Sequence, residues 1–107
     1  LGPNHPDTLT SRNNLASTYQ FAGRLEQAIN LFEQNLTDSE RILGPNHPDT
    51  LTSRNNLARA YQDADRLEQA IDLFEQNLTD SEHVLGPNHP WTTLFRDNLA
   101  RVKEARN

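Results

Sequence analysis

Three histidines, His5, His47 and His89, stand at one recurring position of this 107-residue chain. A metal centre needs ligands that converge on a point. Residues a whole unit apart do not converge, so these histidines are assigned to hydrogen bonding in connectors or caps. His83 falls near the end of a predicted helix, where a protonated imidazole is favoured by the helix dipole. Ser11, Ser39, Ser53 and Ser81 also recur, with no nucleophile signature around them. Gly2, Gly44 and Gly86 read as helix stops rather than as a phosphate-cradling loop. Asn35-Leu36-Thr37 and Asn77-Leu78-Thr79 match glycosylation acceptors, but both sit mid-helix with the Leu turned to the core. No catalytic residue, cofactor or metal is expected, and function must be sought in surfaces.

Composition narrows the class of surface. A net charge of −5 argues against nucleic acid, which demands a surplus of Lys and Arg. Apolar runs of two or three residues are too short to span a membrane. The absence of cysteine excludes disulfides and thiolate metal sites and favours a reducing, cytoplasmic setting. Only 34% of residues are hydrophobic. That is thin for one globular core, but sufficient where each unit buries a single stripe against its neighbours.

A repeat supplies those neighbours. Leu1-Gly2-Pro3-Asn4-His5-Pro6 returns as Leu43–Pro48 and again as Leu85–Pro90, a period of 42. Units 1–42 and 43–84 differ only at positions 17, 18, 21, 23, 30, 41 and 42, and a partial third unit covers 85–107. The chain reads as one domain that is an excerpt of a longer array. Within unit one, Leu9, Arg12, Leu15, Ala16 and Tyr19 follow helical spacing and predict a helix over about Asp7 to Ala22. Leu25, Ala28, Ile29, Phe32, Leu36, Ser39 and Leu43 predict a second over Leu25 to Leu43, ended by a left-handed Gly44 and by Pro45. Asp65 stands where unit one has Gly23, at a turn where left-handed backbone costs a side-chain-bearing residue more. With a last helix over about Trp91 to Ala105, five helices are expected. One hairpin cannot cover its own apolar stripe, so the hairpins must stack.

Asn14-Leu15-Ala16-x-x-Tyr19, followed by Ala28 and Phe32, resembles the tetratricopeptide consensus. The long period and the Gly-Pro-Asn-His-Pro connector resemble its 42-residue variety, found in kinesin light chains and in bacterial regulatory arrays. The resemblance covers essentially the whole chain. It implies an all-α, right-handed α-solenoid of about 2.5 repeats. Arg12, Arg54 and Arg96 depart from the family, which often has Trp there; their stems can cover apolar surface while the guanidinium reaches water.

The resemblance also implies a function: a non-catalytic scaffold that holds an extended peptide on the concave face lined by the first helices. The residues it points to are Asn13, Asn14, Ser17 and Gln20 in unit one, with Thr10 and Phe21 beside them. Unit two offers Asn55, Asn56, Arg59 and Gln62, with Thr52 and Asp63, and unit three Asn98 and Arg101, with Leu94, Asp97 and Glu104. An Asn amide both donates and accepts, so it can pair with peptide backbone of any sequence. Arg59 and Arg101 replace Ser17 at equivalent positions and suit carboxylates. Acidic residues gather instead on the second helices. Relatives capture short acidic segments on this surface. The same asparagines can instead bond between helices and set the stacking. The alternative function is self-association of a structural repeat. Near-identity of the units marks recent duplication or consensus engineering, and Trp91, Leu94 and Phe95 add apolar area to the last helix, either as packing or as a patch that pairs chains.

Overall fold

The computed structural model describes residues 6–107. Five helices follow one another: α1 (Pro6–Phe21), α2 (Leu25–Leu43), α3 (Pro48–Asp63), α4 (Leu67–Val84) and α5 (Pro90–Arg106). The second helix keeps its expected bounds; α1 and α5 shift by a residue at their ends.

Connector chemistry sets these bounds. Pro48 and Pro90 open α3 and α5, where a missing N–H is harmless. The residue before each is a histidine cap: His47 Nδ1 accepts from the Asp49 N–H, and His89 Nδ1 from the Trp91 N–H, each at 3.0 Å. The recurring histidines are therefore helix caps; His5 lies outside the described residues. Gly44 has φ 96° and ψ 155°. The positive φ is as expected, but this ψ is not left-handed helical. It belongs to a region open essentially to glycine alone. At the inner turns Gly23 has φ 82° and Asp65 φ 62°.

Each helix packs on the next, α1 on α2, α2 on α3, α3 on α4 and α4 on α5. The result is a flat stack measuring 41 × 32 × 18 Å. Ala28, Ile29 and Phe32 of α2, Leu57, Ala58 and Tyr61 of α3, Ala70, Ile71 and Phe74 of α4, and Leu99 and Val102 of α5 form one continuous core. Leu9 and Leu51 are buried as well.

The stripe read for α1 fails at Leu15, which is 48% exposed, while its counterpart Leu57 is 4% exposed. Leu57 lies beside Leu36 of α2. No helix stands on that side of α1 among the described residues. Arg54 departs from expectation too. Its guanidinium does not reach water: it is buried, donating to Asp80 at 2.8 Å, to Asn77 Oδ1 at 3.3 Å and to the Pro45 carbonyl at 3.2 Å. No helix among the described residues is long and apolar enough to cross a membrane.

Candidate functional site

The asparagines of the first helices form a ladder. Asn56 Nδ2 of α3 donates to Asn13 Oδ1 of α1 at 3.0 Å, and Asn98 Nδ2 of α5 donates to Asn55 Oδ1 of α3 at 3.1 Å. The second Asn of each unit reaches the first Asn of the unit before it. Asn55 and Asn98 are buried in this role, Asn13 and Asn56 are half-buried, and Asn14 is exposed. The expectation that all of them face a ligand is corrected at Asn55 and Asn98. Their amides are turned to each other across the two helices rather than outward. Gln20 likewise crosses between helices, donating to Asp63 at 2.7 Å.

Beside the ladder, Ser17, Arg59 and Arg101 are exposed and Gln62 is half-buried. Arg101 also donates to Asn98 Oδ1 at 3.3 Å. Elsewhere the cations are matched by carboxylates. Arg12 meets Asp38 at 2.6 Å, Arg41 the same Asp38 at 2.9 Å, and Arg54 Asp80 at 2.8 Å. Arg66 meets Glu26, Lys103 meets Glu75 and Arg106 meets Glu68, each at 3.5 Å, while Arg96 meets Glu82 at 3.6 Å. Among the described residues, Arg59 and Arg101 have no carboxylate partner; the only other such cation is Arg24, in the turn before α2. The hydrogen bond from Arg12 holds the Asp38 carboxyl below its usual range, against the opposing effect of burial.

Between α1 and α3, over α2, lies a cavity of about 250 Å³ lined by Leu9, Thr10, Asn13, Asn35, Ser39, Leu43, Asp49, Thr52, Ser53 and Asn56. At the next crossing, Trp91, Leu94 and Phe95 occupy the places of Asp49, Thr52 and Ser53. Phe95 is 2% exposed, so it belongs to the interior and drops out of the expected self-association patch. A ring in the place of a serine hydroxymethyl group reaches inward and packs. Trp91 and Leu94 remain exposed, Trp91 with its ring edge-on to His89 at 5.7 Å.

Two residues escaped the sequence reading. Asn35 and Asn77 are buried within the second-helix stripe. Asn77 donates to the Leu51 carbonyl at 3.0 Å and accepts from Arg54, tying α4 to α3 at two points. Asn35 Oδ1 is buried without a partner. Their signal was a polar residue recurring three places after Phe32 and Phe74, on the apolar face.

The family model for the tetratricopeptide repeat matches residues 7–79. Among solved structures, the chain is similar to nearly identical TPR-like repeats from a Podosopora anserina protein described as a kinesin light chain. The identity there is 34% and the TM-score 0.91, over 99% of this chain and 50% of that one. A glutamine-to-methionine variant of that protein gives 32% and 0.88 over the same shares. This chain thus spans half the length of those structures. No curated protein matches it. A repeated hairpin, a ladder of first helices and a match over most of the sequence agree: the chain belongs to the tetratricopeptide repeat family, in its kinesin-light-chain-like form.

Proposed function

We propose that the chain is a non-catalytic scaffold of the cytoplasm that holds an extended, acidic protein segment on the face of α1, α3 and α5, that face being the concave one. The observation that carries this reading is the distribution of paired charge. Arg59 and Arg101 stand exposed beside the ladder without carboxylates, while the cations toward the second helices are matched. An unmatched guanidinium beside amides suits a carboxylate flanked by peptide backbone. Asn14, Ser17, Asn56 and Gln62 supply hydrogen bonds to the backbone, and Asn13 the acceptor that fixes Asn56.

The test is titration with fluorescent peptides rich in Glu, and with their Gln counterparts. Binding should weaken about tenfold on Glu→Gln exchange and comparably for Arg59→Ser or Arg101→Ser, with a marked salt dependence. Asn56→Leu should weaken acidic and neutral peptides alike. Affinities indifferent to all four changes would refute the reading.

A second reading, self-association, rests on the exposure of Trp91 and Leu94 on α5. Solution mass with and without Trp91→Asp decides it: a monomer in both cases removes it.

A further inference from the structure

Between the second helices α2 and α4, over α3, lies another cavity, of about 390 Å³. Its apolar lining is Leu36, Leu57 and Leu73, the first two buried and the third half-buried. Glu33 stands on the α2 wall and Asp72 on the α4 wall. Glu33 is half-buried and accepts from the Tyr61 hydroxyl; Asp72 is exposed. Among the described residues neither carboxylate meets a cation, whereas every other carboxylate of α2 and α4 does. Arg66 lies over the Tyr61 ring at 4.7 Å, but it is engaged by Gln69 at 2.6 Å and by Glu26 at 3.5 Å.

The next crossing shows what a carboxylate in this place takes. Glu75 is the counterpart of Glu33, and Lys103 of α5 is the counterpart of Tyr61. Lys103 Nζ meets Glu75 at 3.5 Å. On α3 the tyrosine hydroxyl holds Glu33 by a hydrogen bond but brings no positive charge. The second carboxylate belongs to unit two alone, since unit one has Asn30 where Asp72 stands. Two uncompensated carboxylates beside leucines suit a side chain with an aliphatic stem and a cationic end. Lysine suits them better than arginine. Its compact ammonium carries three donors that can turn to separate carboxylates, while a guanidinium fork matches one carboxylate in its plane.

We propose that this cavity is a second binding site, which takes a lysine side chain from a basic protein segment. The stem lies on Leu36, Leu57 and Leu73, and the ammonium meets Glu33 and Asp72. The site stands whether or not the first helices hold an acidic segment, because none of the residues assigned to that role lines it.

The experiment titrates the chain with a fluorescent peptide of alternating Lys and Ala. Its Gln counterpart should bind at least about tenfold more weakly. A version with diaminobutyric acid for Lys, which keeps the charge and shortens the stem, should lose about fivefold. Asp72→Asn, which restores the residue of unit one, and Glu33→Gln, which keeps an acceptor for Tyr61, should each weaken the lysine peptide about fivefold. Glu82→Gln removes the same charge farther along α4, from a carboxylate that already has Arg96, and should leave the affinity unchanged. Failure of the lysine peptide to bind overturns the proposal. Equal losses in Asp72→Asn and Glu82→Gln also overturn it, since they would mark a diffuse attraction to a chain of net charge −5. So does a peptide that binds as well with the shortened stem. A solution mass that rises with concentration and falls back in Arg59→Ser would put a second copy in the cavity, and this too overturns the proposal.

Discussion

The middle first helix and its two terminal counterparts hold the same residues in different worlds. Arg12, Arg54 and Arg96 share one repeat position. Arg12 reaches Asp38 with its side chain 11% exposed; Arg54 is 1% exposed and bonded four ways; Arg96 is 46% exposed, against the Pro87 carbonyl and Glu82. Leu15 and Leu57 repeat the contrast, and so do Tyr19 and Tyr61. Position in the stack, more than residue type, decides what each side chain contributes, as expected where each unit is stabilised by its neighbours.

Breaking the contrast should therefore cost most in the middle. Arg54→Ala removes the only buried guanidinium of the three and strands Asp80 and Asn77, so unfolding stability should fall by about 3 kcal/mol. Arg96→Ala should change it by less than about 1 kcal/mol. Chemical denaturation of both variants checks this; equal losses would dissolve the distinction. Leu57→Ala should cost about 2–3 kcal/mol through lost burial and a cavity, and Leu15→Ala less than about 1. Thermal melts of the pair suffice.

Tyr61 sharpens the comparison through pH. Burial, aided by the hydrogen bond to Glu33, pushes its hydroxyl up to about 12 from 10.0. The folded state then holds a proton that the unfolded chain releases, so the stabilisation is complete below 10 and is lost as pH rises toward 12. Stability measured from pH 9 to 12 should fall less steeply in Tyr61→Phe than in the parent. The smallest effect is at the inner turn. Asp65 at φ 62° takes the place of Gly23, and Asp65→Gly should raise stability by about 0.5 kcal/mol, the relief of left-handed backbone outweighing added freedom in the unfolded chain. A lower melting temperature would contradict it.

Most of the fold was legible because the repeat sets it out twice. Leu25, Leu43 and the Gly-Pro connectors marked the helix bounds, and the recurrence of the histidines pointed to connector or cap hydrogen bonding, of which His47 and His89 make the cap. What the pattern could not carry was neighbourhood. Helical spacing places Leu15 on a stripe, but only a flanking helix buries a stripe. Counting apolar residues passed over Asn77 and left the Arg54 guanidinium in water, since both enter the interior by hydrogen bonding to each other and to partners that the helical spacing does not show. The candidate site was legible as a face and less so as contacts. The asparagines were placed together by their period, yet the offset that pairs Asn56 with Asn13, and not with Asn14, depends on how one helix is shifted along the next.

That offset has a consequence for a molecule assembled from near-copies of itself. Apolar stripes of the same sequence would tolerate sliding by a turn, since Leu meets Leu at several settings. Each amide rung favours one setting, most strongly at Asn98 and Asn55, where a displaced donor or acceptor would lie buried and unanswered. The two rungs act as detents, fixing the phase and polarity of one hairpin on the next where the greasy contacts alone would leave them free to drift.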